Sequence, residues 1–549
     1  MSLNFTRKDL GITGGVFAIL FLGMFVAISG LNAQQLEHAN CNHGINFDKP
    51  TKRVMTEAEK EAARIRFETM LLQQVENAEK QQALSYCWAT AEQSAGQTYN
   101  GLDYESYQKL VALSPENPNI GNSLAPNLLE QNYVASAVWS ITATDGARGS
   151  IFNIVGKPLT LTWGFTPDGI VIDKFTGLAV PEVAAPSNLI AYLDGIYGCS
   201  GGADLTSRCW FPLFTSVFDR WAELTGFTYV YEPMDNGGAW SATVFPFIAP
   251  GALGNIPDVR IGGHSIDGRG GILAYNFFPN FGDMVIDTDN EIYDLTFGNS
   301  IILRNVLAHE HGHGLGLSHS CPVDNARLMQ PFISVAFDGP QLDDILGATT
   351  LYGDAFGCND SPAQAASLGY IRKGSRIIET STLDAFFTIE EDFYEFETTF
   401  GNDISIEVEP IGFTYFAGAQ NPDGSCQAGA PFDALRQLNL NVELLDSDGA
   451  TVLASGVVEA AGDIETIDID LSAFKQNAAT STRQGRRKYF IRVFADPGGP
   501  FVGTQAYNLR LVIDETIIPT LSQWGLFIFA LMMVNLGITF IRRKERDLA

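Results

Sequence analysis

His309-Glu310-His311-Gly312-His313-Gly314-Leu315-Gly316-Leu317-Ser318-His319 is the stretch on which the reading of this chain turns. Only 7 His occur in 549 residues, and four of them fall inside it, which chance does not favour. Apolar residues from Ile301 to Leu317 recur at helical spacing and predict a helix running into the motif. On that helix His309 and His313 stand four residues apart and share a face. Two imidazoles so placed can hold one Zn²⁺ at about 2.0–2.1 Å per bond. Gly316 offers the way to a third ligand: with no Cβ it can take positive φ, end the helix and turn the chain back, carrying His319 to the metal. Glu310, beside the first ligand, reaches water on the metal rather than the metal itself, which suits a general base acting on water whose pKa zinc lowers toward about 7. The competing reading is a structural zinc with four protein ligands, for which Cys321 is the nearby candidate; Cys321 as half of a disulfide leaves the fourth position to water. His311, two residues from each helical ligand, is expected to point away from the metal, at the surface or behind the ligands.

Length and charge bound the rest. A chain of 549 residues has room for two to four domains, and 46% hydrophobic residues exclude a wholly disordered polypeptide. Lys and Arg number 34 against 63 Asp and Glu, a net charge of −29, so nucleic acid is excluded as a partner of the folded part. Seven Cys are too few for a disulfide-built fold but allow a few bridges in an oxidising compartment. Cys199 with Cys209 could close a short loop, and Cys321 with Cys358 could brace the region behind the motif; connectivity stays open, with one Cys left over.

Ten residues beyond His319 comes Leu328-Met329-Gln330-Pro331, followed by Gln341-Leu342-Asp343-Asp344-Ile345-Leu346-Gly347-Ala348-Thr349-Thr350-Leu351-Tyr352-Gly353. With the His motif these resemble the metzincin metalloproteases, and among them the matrixins. The resemblance implies an α+β (α/β/α) catalytic domain over about residues 149–355 with a mixed twisted sheet. It implies one catalytic Zn²⁺ on His309, His313 and His319, Glu310 as general base, and Met329 and Pro331 in a turn flooring the site. Asp343 and Asp344 would support that turn and the mature N-terminus. Pro158–Phe165 is similar to the family's first strand, Phe214–Thr225 to its first helix, and Asp258–Ile261 to a parallel strand. Gly270–Tyr275 is similar to the edge strand, where Leu273 and Ala274 would offer main chain to an extended polypeptide substrate by strand addition. Asp283, Asp287 and Asp289 fall where the family binds calcium, so Ca²⁺ is a candidate second cofactor. Of the family's structural zinc ligands only His264 and Asp267 are in register, with Tyr275 and Val285 at the other two positions, so that second zinc is expected to be missing. Glu232–Pro257 reads as an insertion near the cleft entrance.

The flanks carry targeting patterns. Arg7 and Lys8 followed by an apolar run from Ile12 to Ile28 and Ala33 read as a signal peptide over residues 1–33, or as an uncleaved anchor. Trp524–Ile541 is uncharged and precedes Arg542, Arg543 and Lys544, the pattern of a transmembrane helix with its end in the cytoplasm. Ile518-Pro519-Thr520-Leu521 just before it makes residues 516–549 resemble an IPTL-CTERM sorting signal of Gram-negative bacteria, which implies an exosortase-type partner; a plain membrane anchor is the alternative. Residues 34–148 have helical composition over Met55–Ala91 and read as a pro-segment, with Cys41 or Cys87 as a candidate thiolate block. Strand-like runs at Phe393–Phe396, Ile404–Val408, Leu438–Leu445, Lys488–Val493 and Ala506–Val512, punctuated by Gly, Asp and Pro, predict an all-β sandwich over 356–515. That region resembles the bacterial pre-peptidase C-terminal domain. The reading is an exported, surface-associated zinc metalloendopeptidase; the alternative is a non-catalytic surface binder that keeps a metal-bearing fold.

Overall fold

The computed structural model describes residues 86–88, 138–148, 154–174, 182–199, 201–238, 240, 251–268, 271–324, 326–384, 390–399, 402–420, 425–456, 460–471, 486–496 and 503–515. The signal segment, most of 34–148 and the apolar tail at 516–549 therefore lie outside the described residues. Among the described residues no helix is long and apolar enough to cross a membrane.

Leu159–Phe165 reads Leu-Thr-Leu-Thr-Trp-Gly-Phe, uncharged and buried at every position, as a parallel strand covered on both faces must be. It is the second of six strands: β1 (Tyr86–Trp88), β2 (Leu159–Phe165), β3 (Phe227–Tyr231), β4 (Val259–His264), β5 (Ile272–Asn276) and β6 (Met284–Asp287). They form one sheet in the order β1-β5-β6-β4-β2-β3. The strands β6, β4, β2 and β3 are parallel neighbours, whereas β5 runs antiparallel to both β6 and β1. Among the described residues four helices accompany the sheet: α1 (Leu189–Tyr197), α2 (Phe211–Leu224), α3 (Phe297–Gly314) and α4 (Leu342–Tyr352). Pro212 sits in the first turn of α2, where a missing N–H costs nothing. Phe211, Phe214, Phe218, Trp221 and Leu224 then repeat at helical spacing and are all buried. Phe218 stacks on Trp163 of β2 with ring centroids 4.4 Å apart. Each such buried aromatic contributes roughly 1.5–3 kcal/mol, which fixes α2 against the sheet and behind α3.

Two expectations need correcting here. Tyr86–Trp88, inside the stretch read as helical, is a strand, because pairing with the open side of β5 outweighs a weak local helical preference. The core of this half also takes in residues ahead of 149: Trp139 is fully buried, and its indole Nε1–H donates to Gly314 O at 2.8 Å at the end of α3.

The second half of the chain is a sandwich. Its strands are β8 (Ala366–Tyr370), β9 (Gly374–Asp384), β10 (Glu391–Thr399), β11 (Asn402–Ile411), β14 (Leu440–Leu445), β15 (Val452–Gly456), β16 (Glu465–Asp470), β17 (Arg486–Ala495) and β18 (Thr504–Glu515). One sheet has the order β8-β10-β17-β14-β15 and the other β9-β18-β11-β16. Alternation along β11 turns Ile404, Ile406 and Val408 inward, with more exposed residues between them. A third small sheet joins the two halves: β7 (Ser320–Cys321), directly after His319, pairs with β12 (Thr414–Ala419), which pairs with β13 (Ala430–Asp433). Cys321 is bonded to Cys426 of this hairpin and not to Cys358, which is itself disulfide-bonded elsewhere. The bridge follows the strand pairing that brings the two Cα atoms to 5.4 Å. Cys199 and Cys209 are bonded as expected.

Where the halves meet, Asp354, Asp360, Glu390 and Asp392 are held above the usual carboxylate range, first by burial and then, for the last three, by one another's charge; Asp360 is pushed up to about 6. Lys157 and Glu391 also face Asp360, and Asp384 faces Glu390. A carboxyl whose folded-state pKa is raised stabilises the fold below its unfolded value and loses that contribution as pH rises through the raised one. The buried imidazoles pull the other way, since their lowered values add stability as pH rises. With a chelator present, the urea midpoint of wild type should therefore fall relative to that of Glu390→Gln as pH is taken from about 4 to about 7; a difference that stays constant or grows through this window contradicts the assignment.

Candidate metal centre

The helix α3 delivers the first two imidazoles and Gly316 the third. Regular helix runs from Ile301, because Gly298, Asn299 and Ser300 all have positive φ and set the entry. Gly316 takes φ 97°, the left-handed reversal expected of it. The Nε2 atoms of His309, His313 and His319 consequently converge, at 3.1 Å between the first two and 3.2 Å from each of these to the third. Among the described His, Cys, Asp and Glu, this is the one group of three whose donor atoms come together in this way.

The opposite ring atoms show why Nε2 is the outward one. His309 Nδ1–H donates to Leu328 O at 2.7 Å and His313 Nδ1–H to Leu317 O at 2.7 Å, while His319 Nδ1–H donates to Gln420 Oε1 at 2.8 Å. Each acceptor fixes a ring and leaves the Nε2 lone pair facing the common point. Burial, helped at His309 and His313 by the neighbouring His319, lowers the imidazoles: His309 to about 3, His319 to about 4, and His313 well below its ordinary value. All three are neutral at neutral pH, the state a metal requires. Three neutral, oriented imidazoles with Nε2 atoms about one ligand edge apart fit a zinc ion. Glu310 is fully buried beside them.

Met329 lies against the helix between the two helical ligands. A Cβ on Gly312 would collide with Met329 Sδ, so the glycine between the two helical ligands is what lets the turn close up. Asp344 holds that turn: its carboxylate accepts Leu328 N–H at 2.8 Å, Met329 N–H at 2.9 Å and Gln341 N–H at 2.8 Å. Pro331, next to it, is buried. Asp343 does something else. It accepts the Tyr415 hydroxyl at 2.7 Å and faces Arg327 at 3.7 Å, so it ties the second half of the chain to α4.

Other expectations are revised. His311 is neither at the surface nor touching the triad: it is fully buried between Phe218 and Tyr229, with its Nε2 2.7 Å from the Tyr229 hydroxyl. Asp283, Asp287 and Asp289 are not among the described side chains whose donor atoms come together in a group of three. Asp283 accepts Arg260 N–H, Asp287 accepts the main chain of Ile266, Gly268 and Asp289, and Asp289 is exposed. At His264, the Glu182 carboxylate lies 3.1 Å from Nε2 and also accepts the Tyr275 hydroxyl at 2.9 Å. Leu273 and Ala274 are on β5, but β5 is not the bare edge: β1 covers it, with Cys87 opposite Ala274 and Trp88 opposite Ile272. The Leu273 carbonyl is held by the Tyr293 hydroxyl at 2.7 Å.

Residues 257–353 match the family described as Peptidase_M10: Matrixin. This segment contains the triad, Glu310, the Met329 turn and α4. Over shared stretches the chain is 41% identical to a hatching enzyme of Paracentrotus lividus (97 residues), 37% to stromelysin-3 of Xenopus laevis (125 residues) and 32% to matrix metalloproteinase-16 of Homo sapiens (152 residues). These stretches cover 17%, 22% and 25% of this chain and 16%, 25% and 23% of the relatives, so the chain spans a quarter or less of the curated relatives it matches. Among solved structures, a periplasmic inhibitor of g-type lysozyme from Aeromonas hydrophila aligns with 27% of this chain and 99% of its own at TM-score 0.16 and 10% identity. The pre-peptidase C-terminal domain of a Bacillus anthracis collagenase aligns with 27% and 94% at TM-score 0.15 and 14% identity. Likenesses this weak carry no argument about the sandwich.

Sequence reasoning missed Gln420, Tyr229 and Glu182. Tyr229 lies on an apolar strand and Glu182 in a loop, neither with a spacing that marks it. Gln420 is 101 residues beyond the ligand it touches; the one hint was the unassigned Cys, which is Cys426.

Proposed function

We propose that this chain is an exported zinc-dependent metalloendopeptidase. The observation that carries the reading is the convergence of three Nε2 atoms with Glu310 buried at their side. A zinc ion held there supplies Lewis-acid polarisation of a scissile carbonyl and a more acidic water. Glu310 takes the proton from the attacking water and returns it to the departing amine. Burial keeps the exchange away from bulk solvent, and the Met329 turn holds the imidazoles against displacement.

The polypeptide substrate class is supported by β5. Residues 86–88 lie along it antiparallel, so this edge takes an extended strand through its main chain, with Ala274 at the centre of the pairing. The intramolecular strand then competes with substrate. The disulfides, Cys199–Cys209 and Cys321–Cys426 among them, fit an oxidising compartment outside the cytoplasm. Export through residues 1–33 and membrane sorting through 516–549 complete the proposal.

The test is cleavage of casein or gelatin by the full chain, with and without a chelator. Cleavage should stop with chelator and return with added zinc. Deleting Tyr86–Trp88 should lower KM for a peptide substrate by about tenfold, since a tethered competitor acts at roughly millimolar effective concentration. Chelator-resistant cleavage contradicts the zinc reading, and an unchanged KM contradicts the assignment of β5 as the substrate edge.

A further inference from the structure

We propose that Gln420, carried on the hairpin of the second domain, is a positioning residue of the metal centre, so that the catalytic half of the chain does not complete its own zinc site. This rests on the reading of the His triad as a zinc site.

The three imidazoles are oriented by different means. Two donate Nδ1–H to main-chain carbonyls, Leu328 O and Leu317 O, that belong to the same segment as the ligands. The third, His319, lies past the end of the helix, beyond the turn at Gly316, with its ring against those of His309 and His313. Its acceptor is a side chain from the other half of the molecule. The chain invests several contacts in bringing that side chain there. β12 pairs with β7, with Ser320 opposite Ala419 and Cys321 opposite Gly418, so the strand that begins at the residue after His319 is in register with the strand that ends at the residue before Gln420. Gln420 is bridged to Cys426, and Cys426 is bonded to Cys321. Arg327, buried, donates to Pro322 O at 2.9 Å and to Phe416 O, and its guanidinium lies 5.2 Å from the Tyr415 ring centre. Tyr415 in turn donates to Asp343 on α4, and its ring packs with Leu346, Ala417 and Phe432.

The hairpin is thus fastened to the first half at two points: covalently at Cys321, two residues after His319, and through Asp343, the neighbour of the Asp344 that holds the Met329 turn. An oxygen acceptor at Nδ1 fixes the tautomer that leaves Nε2 for the metal and makes the imidazole a better donor. Gln420 does for His319 what main chain does for the other two ligands.

The experiment measures zinc affinity of the full chain by competition with a chromophoric chelator, for wild type, Gln420→Ala and Gln420→Glu, together with the visible spectrum of the Co²⁺-substituted proteins. Loss of an outer partner of this kind weakens metal binding about 10–100-fold, and that is the drop expected for Gln420→Ala, with a changed cobalt spectrum. Gln420→Glu offers the same acceptor with a negative charge and should bind zinc at least as tightly as wild type, with the wild-type spectrum restored. At saturating zinc, Gln420→Ala should lower kcat and leave KM in place. The inference is overturned if Gln420→Ala holds zinc within about twofold of wild type with an unchanged cobalt spectrum, against the 10–100-fold expected. It is overturned equally if Gln420→Glu fails to rescue. Wild type that binds no zinc in the same competition overturns the underlying zinc reading as well, so the two failures are distinguishable.

Discussion

Glu310→Gln should bind one zinc per chain, as wild type does, while kcat for peptide cleavage falls about 10²–10⁴-fold, the contribution of a well-placed general base. The separation follows from position. Glu310 sits between His309 and His311 on α3, and only His309 and His313 turn their Nε2 atoms to the metal point from that helix. The amide has nearly the shape of the carboxylate, so the buried packing around it is kept. KM should move little, because the main chain of β5, not Glu310, binds the extended substrate. Metal content with a kcat measurement checks it. A variant that cleaves as fast as wild type removes Glu310 from the chemistry; one that loses zinc makes it a ligand.

The largest effect on stability is expected at Asp344. Its carboxylate accepts three main-chain N–H groups, those of Leu328, Met329 and Gln341, at 2.8–2.9 Å in a buried setting. Asp344→Ala leaves two buried donors and the half-buried Gln341 N–H without an acceptor, at about 1–3 kcal/mol for each buried one, some of which water entering the gap recovers. The expected loss is about 3–6 kcal/mol, a large share of a domain's stability of about 5–15 kcal/mol. Asp344→Asn retains an oxygen acceptor and should lose about half as much. Urea unfolding at neutral pH checks both. Since Leu328 O of that turn accepts His309 Nδ1–H, zinc affinity should fall in the same order. Asp344→Ala with an unchanged urea midpoint contradicts this account of the turn.

The triad was legible because its chemistry is local: the i,i+4 spacing and a glycine that can take positive φ fix three ligands within eleven residues. The Asp344 support was legible through resemblance, since a buried carboxylate beside another one has no periodicity of its own. The strand β2 was legible through resemblance, as the family's first strand, and β11 because Ile404–Val408 is a strand-like run set off by turn residues. What could not be read was long-range. For His311 the spacing said only that it points away from the metal, to the surface or behind the ligands; that Phe218 and Tyr229 close over it from α2 and β3 was not encoded there. The pairing of Tyr86–Trp88 with β5 joins positions whose separation no local pattern encodes. The Cys321–Cys426 bond and Gln420 depend on a hairpin folding back from the second half, and a Gln in a loop carries no signal until its partner is known.

The claim beneath all of this is that three imidazoles hold one zinc through Nε2 and leave a position for water. A crystal structure of the zinc-loaded chain, with anomalous scattering recorded at the zinc edge, tests it most directly. The account predicts one peak bonded to His309, His313 and His319 Nε2 at about 2.0–2.1 Å, with a water as the remaining ligand next to Glu310. No peak at the triad, or a fourth protein side chain bonded to the metal in the water's place, contradicts it.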